Sequence, residues 1–181
     1  VLAQVRAQFP QWGHKLGEDH LLDLGVLGQV SETSLTRDMA FKMESSGLPN
    51  TFVPGRNLLF LTLAAALAYR RDLDVIVTGV CETDYSGYPD CRRDFIEFMQ
   101  RTATLAMPSS CGPIEIATPL MYMTKAATVR LARSLGPKCW AALARSVTCY
   151  EGQRPGCGKC PACKLRAAGF AEAGEEDPAH A

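Results

Sequence analysis

Four cysteines carry the residue type and spacing best suited to chemistry. Cys149, Cys157, Cys160 and Cys163 stand as C-x7-C-x2-C-x2-C within TCYEGQRPGCGKCPACKLRAAGF, residues 148–170. Thiolates this close in sequence converge on one ion with little backbone strain. Zinc favours four soft ligands in a closed tetrahedron, and such sites fold their loops around the metal. Gly152, Pro155, Gly156 and Gly158 supply bends that turn the sulfurs inward. The spacing also opens an iron–sulfur pattern, although the usual C-x3-C-P continuation does not follow Cys163. Disulfides are a third use of clustered thiols. Zinc is favoured, and with no His in the loop a structural role is expected rather than a catalytic one.

A second chemistry is written around Arg56 and Asn57. Pro54 and Gly55 break the chain, and the apolar run after them predicts a helix from Arg56 to about Arg70, apolar nearly all round and therefore buried. The amides of its first turn favour an anion. Arg56 adds a charged fork for a carboxylate or phosphate; the alternative is that Arg56 and Asn57 satisfy neighbouring backbone groups. Residues 74–80 (DVIVTGV) read as a buried strand of the parallel type. The loop after them, CETDYSGYPDC, lies at the strand's carboxyl end, where open α/β sheets bind ligands. Asp84, Tyr85, Ser86, Tyr88 and Asp90 there can grip a polar ring. Asp90 also stands where it could cap the helix expected over residues 91–107. Lys125, in the first turn of a helix that Thr124 caps, opposes the dipole and suggests an anion or acidic partner, with a plain surface lysine as the alternative.

The elements that must position these groups follow from the rest of the chain. Residues 1–9 have a helical pattern, residues 20–24 form a short apolar run with strand character, and the polar residues 31–50 read as a long loop. A second β-like run covers residues 114–118, closed by Pro119. Helices are expected over residues 125–136, 138–146 and about 162–173. Strands alternating with helices define an α/β domain with a mostly parallel sheet. The division expected is residues 1–147 for that domain and residues 148–181 for a cysteine lobe packed on it.

Composition narrows the class. At 181 residues, 47% hydrophobic and 21% charged, the chain is an ordinary globular domain with at most a small appendage. No signal peptide and no membrane-length apolar run occur in it, and the scattered Cys81, Cys91, Cys111 and Cys139 suit a reducing cytoplasm. Net charge is zero, yet residues 120–166 hold nine Lys or Arg against one acid, Glu151. That stretch is either a solvated face or a surface for anions. Binding of RNA by a zinc-bearing module is the alternative function, but only Tyr122, Trp140 and Tyr150 are available there for stacking.

TSLTRD (residues 33–38), GLPNTFVPGRN (47–57), TGVCETDYSGYPDCR (78–92), TPLM followed by KA (118–126) and the cysteine segment resemble, in this order, the 7-cyano-7-deazaguanine synthase family. The resemblance covers nearly everything from residue 33 to residue 178. It implies the Rossmann-like adenine-nucleotide α-hydrolase, or PP-loop, fold. It also implies conversion of 7-carboxy-7-deazaguanine and ammonia to the nitrile, with Mg²⁺-ATP consumed, in queuosine biosynthesis. A single zinc on Cys149, Cys157, Cys160 and Cys163 and a homodimer are implied with it. One family motif has no counterpart: the Ser-Gly-Gly-x-Asp-Ser pyrophosphate loop, since Ser46-Gly47 and Ser86-Gly87 belong to other stretches. The expectation is therefore that the first strand and that loop precede Val1, and that residues 1–181 alone bind ATP weakly. An inactive fragment of the synthase is the remaining alternative.

Overall fold

The computed structural model describes residues 2–83 and 87–180. They fall into two compact units, one spanning Val26–Thr124 and the other taking in the remainder.

The Val26–Thr124 unit is built on a strand–helix–strand repeat. Strand β1 (Val75–Val77) pairs in parallel with β2 (Glu115–Ala117), with Val75 opposite Glu115, Ile76 opposite Ile116 and Val77 opposite Ala117. Parallel neighbours need a long crossover. Here it comprises a short 3-10 turn, Pro89–Cys91, and helix α5 (Arg93–Leu105), numbered after α1 (Leu2–Gln8), α2 (Pro10–Gly13), α3 (Val26–Val30) and α4 (Arg56–Arg70). Gly55, at a left-handed φ of 75° that favours glycine, turns the chain into α4, and Leu59 N–H closes the first helical turn on the Gly55 carbonyl at 2.9 Å. Leu61, Ala65 and Ala68 of α4 join Ile96, Met99 and Ala103 of α5 over Ile76, Ile114, Ile116 and Met121 to form the core. Both strands bury their middle residue on this one face.

Two sequence expectations are corrected here. Strand β1 is not buried on both faces: Val77 is 70% exposed, and Val75 is exposed too. Likewise α4 buries one stripe, at spacings of four and three residues, while Leu58, Phe60 and Tyr69 stay exposed. An all-apolar helix reads as buried all round, but among the described residues only one of its faces meets a sheet. Residues 20–24 form no strand; Leu21 is 92% exposed, and no ladder partner exists for them among the described residues.

The outer edge of β2 is closed by side chains. Gln100 Oε1 accepts the Ile116 N–H at 2.7 Å, and Thr104 Oγ1 accepts the Ile114 N–H at 3.1 Å. These two residues sit one turn apart on α5, so the helix itself substitutes for a neighbouring strand. Gln100→Ala should therefore lower the unfolding free energy by about 1–2 kcal/mol by orphaning a strand N–H. A denaturant midpoint equal to that of the wild type would contradict this assignment.

The second unit is helical: α1, α2, α6 (Lys125–Ser134), α7 (Pro137–Leu143) and α8 (Pro161–Ala173). Helices α6 and α8 cross closely at Gly169, where a Cβ would stand 2.7 Å from that of Lys125. Trp140 meets Phe170 edge-on at 6.0 Å, and the Arg133 guanidinium lies 4.8 Å over the Trp140 ring. No helix is long and apolar enough to cross a membrane among the described residues.

Candidate functional site

At the carboxyl end of β1 and β2, segments distant in sequence are tied together. The ladder continues from Thr78 N–H to the Ala117 carbonyl at 3.0 Å, then from Glu82 N–H to the Met121 carbonyl at 2.8 Å. Thr83 Oγ1 donates to the Met123 carbonyl at 2.6 Å. The loop after β1 and the loop after β2 thus run side by side. A third segment joins them through Tyr88, which is buried: its hydroxyl shares a 2.5 Å hydrogen bond with that of Thr51, and its ring meets Phe52 in a tilted contact at 5.4 Å between centroids.

The loop over residues 31–50 is as irregular as its composition suggests, with an isolated bridge between Met43 and Pro49. Buried Asn50 organises it. Its side-chain oxygen accepts from Lys42 N–H at 3.0 Å and from Ser34 Oγ at 3.1 Å, while its amide nitrogen donates to the Ala40 carbonyl at 2.9 Å.

The start of α4 lies at this meeting point, and its anion is the protein's own. Asp90 is 7% exposed, and its Oδ2 accepts the Asn57 N–H at 3.1 Å. Asn57 Nδ2 returns a bond to the Asp90 carbonyl at 3.2 Å and another to Cys91 Sγ at 3.2 Å. Asp90 does cap a helix, but it is α4, 33 residues earlier, and not α5, whose N-cap is Arg92 without a side-chain bond. Burial first, and then the Asp90 charge, push the Cys91 thiol up to about 11, against the pull of Arg56 and of the Asn57 hydrogen bond. Cys91 is therefore a neutral thiol near pH 7, unsuited to nucleophilic work. The Arg56 guanidinium lies 5.8 Å over the Tyr88 ring.

The structure thus brings Arg56, Asn57 and Asp90 together. Asp84, Tyr85 and Ser86 lie outside the described residues. Lys125 opens α6 in the other unit. Tyr88, read from the loop as a residue to grip a polar ring, is buried with its hydroxyl on Thr51. The contributions of Thr51 and Cys91 come from tertiary packing, since buried polar pairs between distant segments have no local periodicity to reveal them.

The four cysteines form the second centre. Cys149, Cys157, Cys160 and Cys163 place their sulfurs within 4.8 Å of one another, a set able to hold a metal ion. Backbone amides converge on them as well. Lys159 N–H and Cys160 N–H point to Cys157 Sγ at 3.4 and 3.3 Å, and Cys157 N–H points to Cys149 Sγ at 3.4 Å. Cys160 is the N-cap of α8 and accepts from Cys163 N–H at 3.4 Å, so the helix N-terminus faces the sulfurs. Burial raises the Cys149 thiol, but the amides of Cys157, Gln153 and Glu151 outweigh it and bring it to about 6. Burial, together with bonds to the other three thiols, drives Cys163 up to about 12. The donor set fits a thiophilic dication, which would stabilise all the thiolates together.

Gly156 is packed against this cluster: a Cβ there would sit 3.0 Å from Cys163 Sγ. Gly156→Ala should displace that sulfur and speed release of the metal to a chelator about tenfold, an effect of the size typical of changes next to a ligand. Release at the wild-type rate would show that the sulfur accommodates the methyl group.

Comparison with known proteins decides the family. The description "Queuosine biosynthesis protein QueC" fits residues 6–174. The chain belongs to the QueC family. Among curated relatives of QueC type, the 7-cyano-7-deazaguanine synthase of Polaromonas naphthalenivorans is 62% identical, over 97% of this chain and 76% of the relative. Those of Bordetella pertussis and Burkholderia thailandensis are 54% and 52% identical, over 94% and 92% of this chain and 72% and 70% of the relatives. The chain spans about three quarters of their length. The QueC match takes in both centres, from the loop over residues 31–50 to α8.

Proposed function

We propose that this chain acts in the 7-cyano-7-deazaguanine synthase reaction of queuosine biosynthesis, the activity for which its curated relatives are named. The reaction joins 7-carboxy-7-deazaguanine to ammonia at the expense of Mg²⁺-ATP. The carboxylate attacks the α-phosphorus of ATP and expels pyrophosphate, because hydroxide is too poor a leaving group for direct substitution. Ammonia displaces AMP from the mixed anhydride and leaves a primary amide. The amide oxygen then attacks a second ATP, and departure of that oxygen as AMP, with loss of the remaining N–H protons, leaves the nitrile. No nucleophilic side chain is required, which agrees with the neutral Cys91 thiol. What the protein must supply is alignment and charge.

The observation that carries this proposal is the convergence of GLPNTFVPGRN, the described ends of TGVCETDYSGYPDCR (residues 78–83 and 87–92) and TPLM at the carboxyl end of a parallel sheet. Arg56 is the residue assigned to the acid group, in fork geometry on a carboxylate. Asp84, Tyr85 and Ser86 are assigned to the amino edge of the ring. Asn57 and Asp90, engaged with each other, hold Arg56 and the loop in place. Lys125 is a further candidate for anionic groups. Cys149, Cys157, Cys160 and Cys163 would hold zinc, whose contribution is to fold residues 149–163.

Several basic residues of the 120–166 stretch are engaged inside the helical unit. Arg166 pairs with Asp177, Arg133 with Glu175, and Arg130 donates to the Glu172 carbonyl. These cations are paired within the helical unit, which speaks against the RNA-binding alternative.

Binding of the acid tests the assignment directly. Calorimetry should show 7-carboxy-7-deazaguanine binding to wild-type protein and much more weakly to Arg56→Ala, while the carboxylate-free deazaguanine binds both alike. Equal binding of the acid to both proteins would remove Arg56 from the carboxylate.

A further inference from the structure

Beside the cysteines lies a buried ion pair that the zinc assignment does not use. Arg166 and Asp177 form a two-pronged ion pair, Nε to Oδ2 at 2.5 Å and Nη2 to Oδ1 at 2.7 Å, with side chains only 10% and 12% exposed. Arg166 also donates from Nη1 to Ser146 Oγ at 2.7 Å. The Ser146 hydroxyl in turn donates to the Leu143 carbonyl at 2.7 Å, at the end of α7. The guanidinium lies 5.3 Å over the Phe170 ring. The Asp177 carboxylate accepts the Ala179 N–H at 3.0 Å, and Arg166 first, after the opposing effect of burial, holds its carboxyl below the ordinary range.

The sequence positions matter. Ser146 lies three residues before Cys149, and Arg166 three residues after Cys163. One guanidinium therefore joins the chain entering the thiol cluster to the helix leaving it. Asp177 fixes that guanidinium from the chain beyond α8. A cleft of about 580 Å³ flanks the group, lined among others by Gly156, Cys163, Arg166 and Asp177, so the cluster and the ion pair share one wall.

We propose that Ser146, Arg166 and Asp177 form a strut that sets the distance between Cys149 and the Cys160–Cys163 end of the cluster, and so governs how long the metal is retained. These are positioning residues, not ligands. The inference rests on the zinc assignment above. Three of the ligands, Cys157, Cys160 and Cys163, lie close together in sequence and share backbone amides. Cys149 comes from further off; the Cys157 N–H reaches its sulfur, and the strut ties the chain three residues before it to α8. Without the strut the segment carrying Cys149 loses its side-chain tie to α8, so the 149–157 loop, with the amides that reach the Cys149 sulfur, can move as a unit away from Cys160 and Cys163.

The test uses the whole zinc-loaded chain, with metal content from elemental analysis and release of zinc to a coloured chelator followed well below the melting temperature. Ser146→Ala, Asp177→Asn and Arg166→Gln should each release zinc about tenfold faster than wild type. Arg166→Lys should not restore retention, because an ammonium cannot hold both Asp177 oxygens and Ser146 at once. Cobalt-substituted Ser146→Ala should show altered visible ligand-field bands, which a loss of stability alone does not produce. Gln100→Ala, destabilised in the other unit, should release zinc at the wild-type rate. If Arg166→Gln does not fold, Ser146→Ala decides, since it leaves the ion pair intact. Wild-type protein lacking zinc would overturn the metal assignment itself. Zinc-bearing Ser146→Ala and Asp177→Asn with wild-type release and spectra would overturn the strut and leave the metal assignment standing.

Discussion

Cys160→Ser should empty the metal centre while leaving α8 capped. Cys160 is fully buried and makes the N-cap contact to Cys163 N–H. Serine is an effective N-cap, so the helix start survives the change and the lost quantity is the thiolate. A structural zinc site is bound with about 10–16 kcal/mol in all. Removing one of its four ligands should cost on the order of 3 kcal/mol, or about a hundredfold in affinity. Purified Cys160→Ser should lose its zinc to a chelator concentration that leaves the wild-type metal in place, and residues 149–163 should become protease-sensitive. Retention also depends on pH with a definite sign. The thiols must give up protons to bind metal, so affinity rises with pH and zinc is shed as the solution is acidified. Full zinc content and wild-type protease resistance in Cys160→Ser would show that Cys160 is not a ligand. A brown protein absorbing in the visible would replace zinc by an iron–sulfur cluster.

The second large effect separates Arg56 from Asp90. Arg56→Ala should lower kcat/KM by about thirtyfold to a hundredfold, equivalent to about 2–3 kcal/mol for a charged hydrogen bond to substrate. Zinc content should stay at the wild-type value and the melting temperature close to it, since the Arg56 guanidinium lies 5.8 Å over the Tyr88 ring rather than in an ion pair among the described residues. The loss should fall more heavily on the acid than on the amide intermediate supplied separately, because only the acid carries the carboxylate. Arg56→Lys should recover part of the activity at most. Asp90→Asn behaves differently. It removes the charge facing the start of α4 and weakens the bond to Asn57 N–H, so it should lower stability by about 1–3 kcal/mol as well as turnover. Equal effects of Arg56→Ala on both half-reactions would assign Arg56 to ATP or to structure.

Local signals in the chain are legible where local physics decides. Pro54-Gly55 before an apolar run places the start of α4 at Arg56, as observed, and the cysteine spacing alone foretells the sulfur cluster. Both β-like runs become the two parallel strands, trimmed at their ends. Residues 20–24 mislead because a short apolar run has strand propensity but no partner to pair with among the described residues. The apolar girth of α4 overstates its burial for a related reason: periodicity reports what a helix can bury, not what is there to cover it. Asp90 shows the limit most plainly. Its position before a helix suggests a local cap, and only the fold shows that α4, distant in sequence, takes the carboxylate. The Gln100 seal on β2 and the Arg166–Asp177 pair are invisible for the same reason, being contacts between segments that no local pattern links.

The central claim is that this protein turns an acid and ammonia into a nitrile. It is tested most directly by supplying zinc-loaded protein, isolated with its natural ends, with 7-carboxy-7-deazaguanine, Mg²⁺-ATP and ¹⁵N-ammonia, and following products by mass spectrometry. The expected result is ¹⁵N first in the primary amide and then in the nitrile, with AMP and pyrophosphate released at each stage. Acid left unconsumed, or AMP formed without a labelled amide, would contradict it.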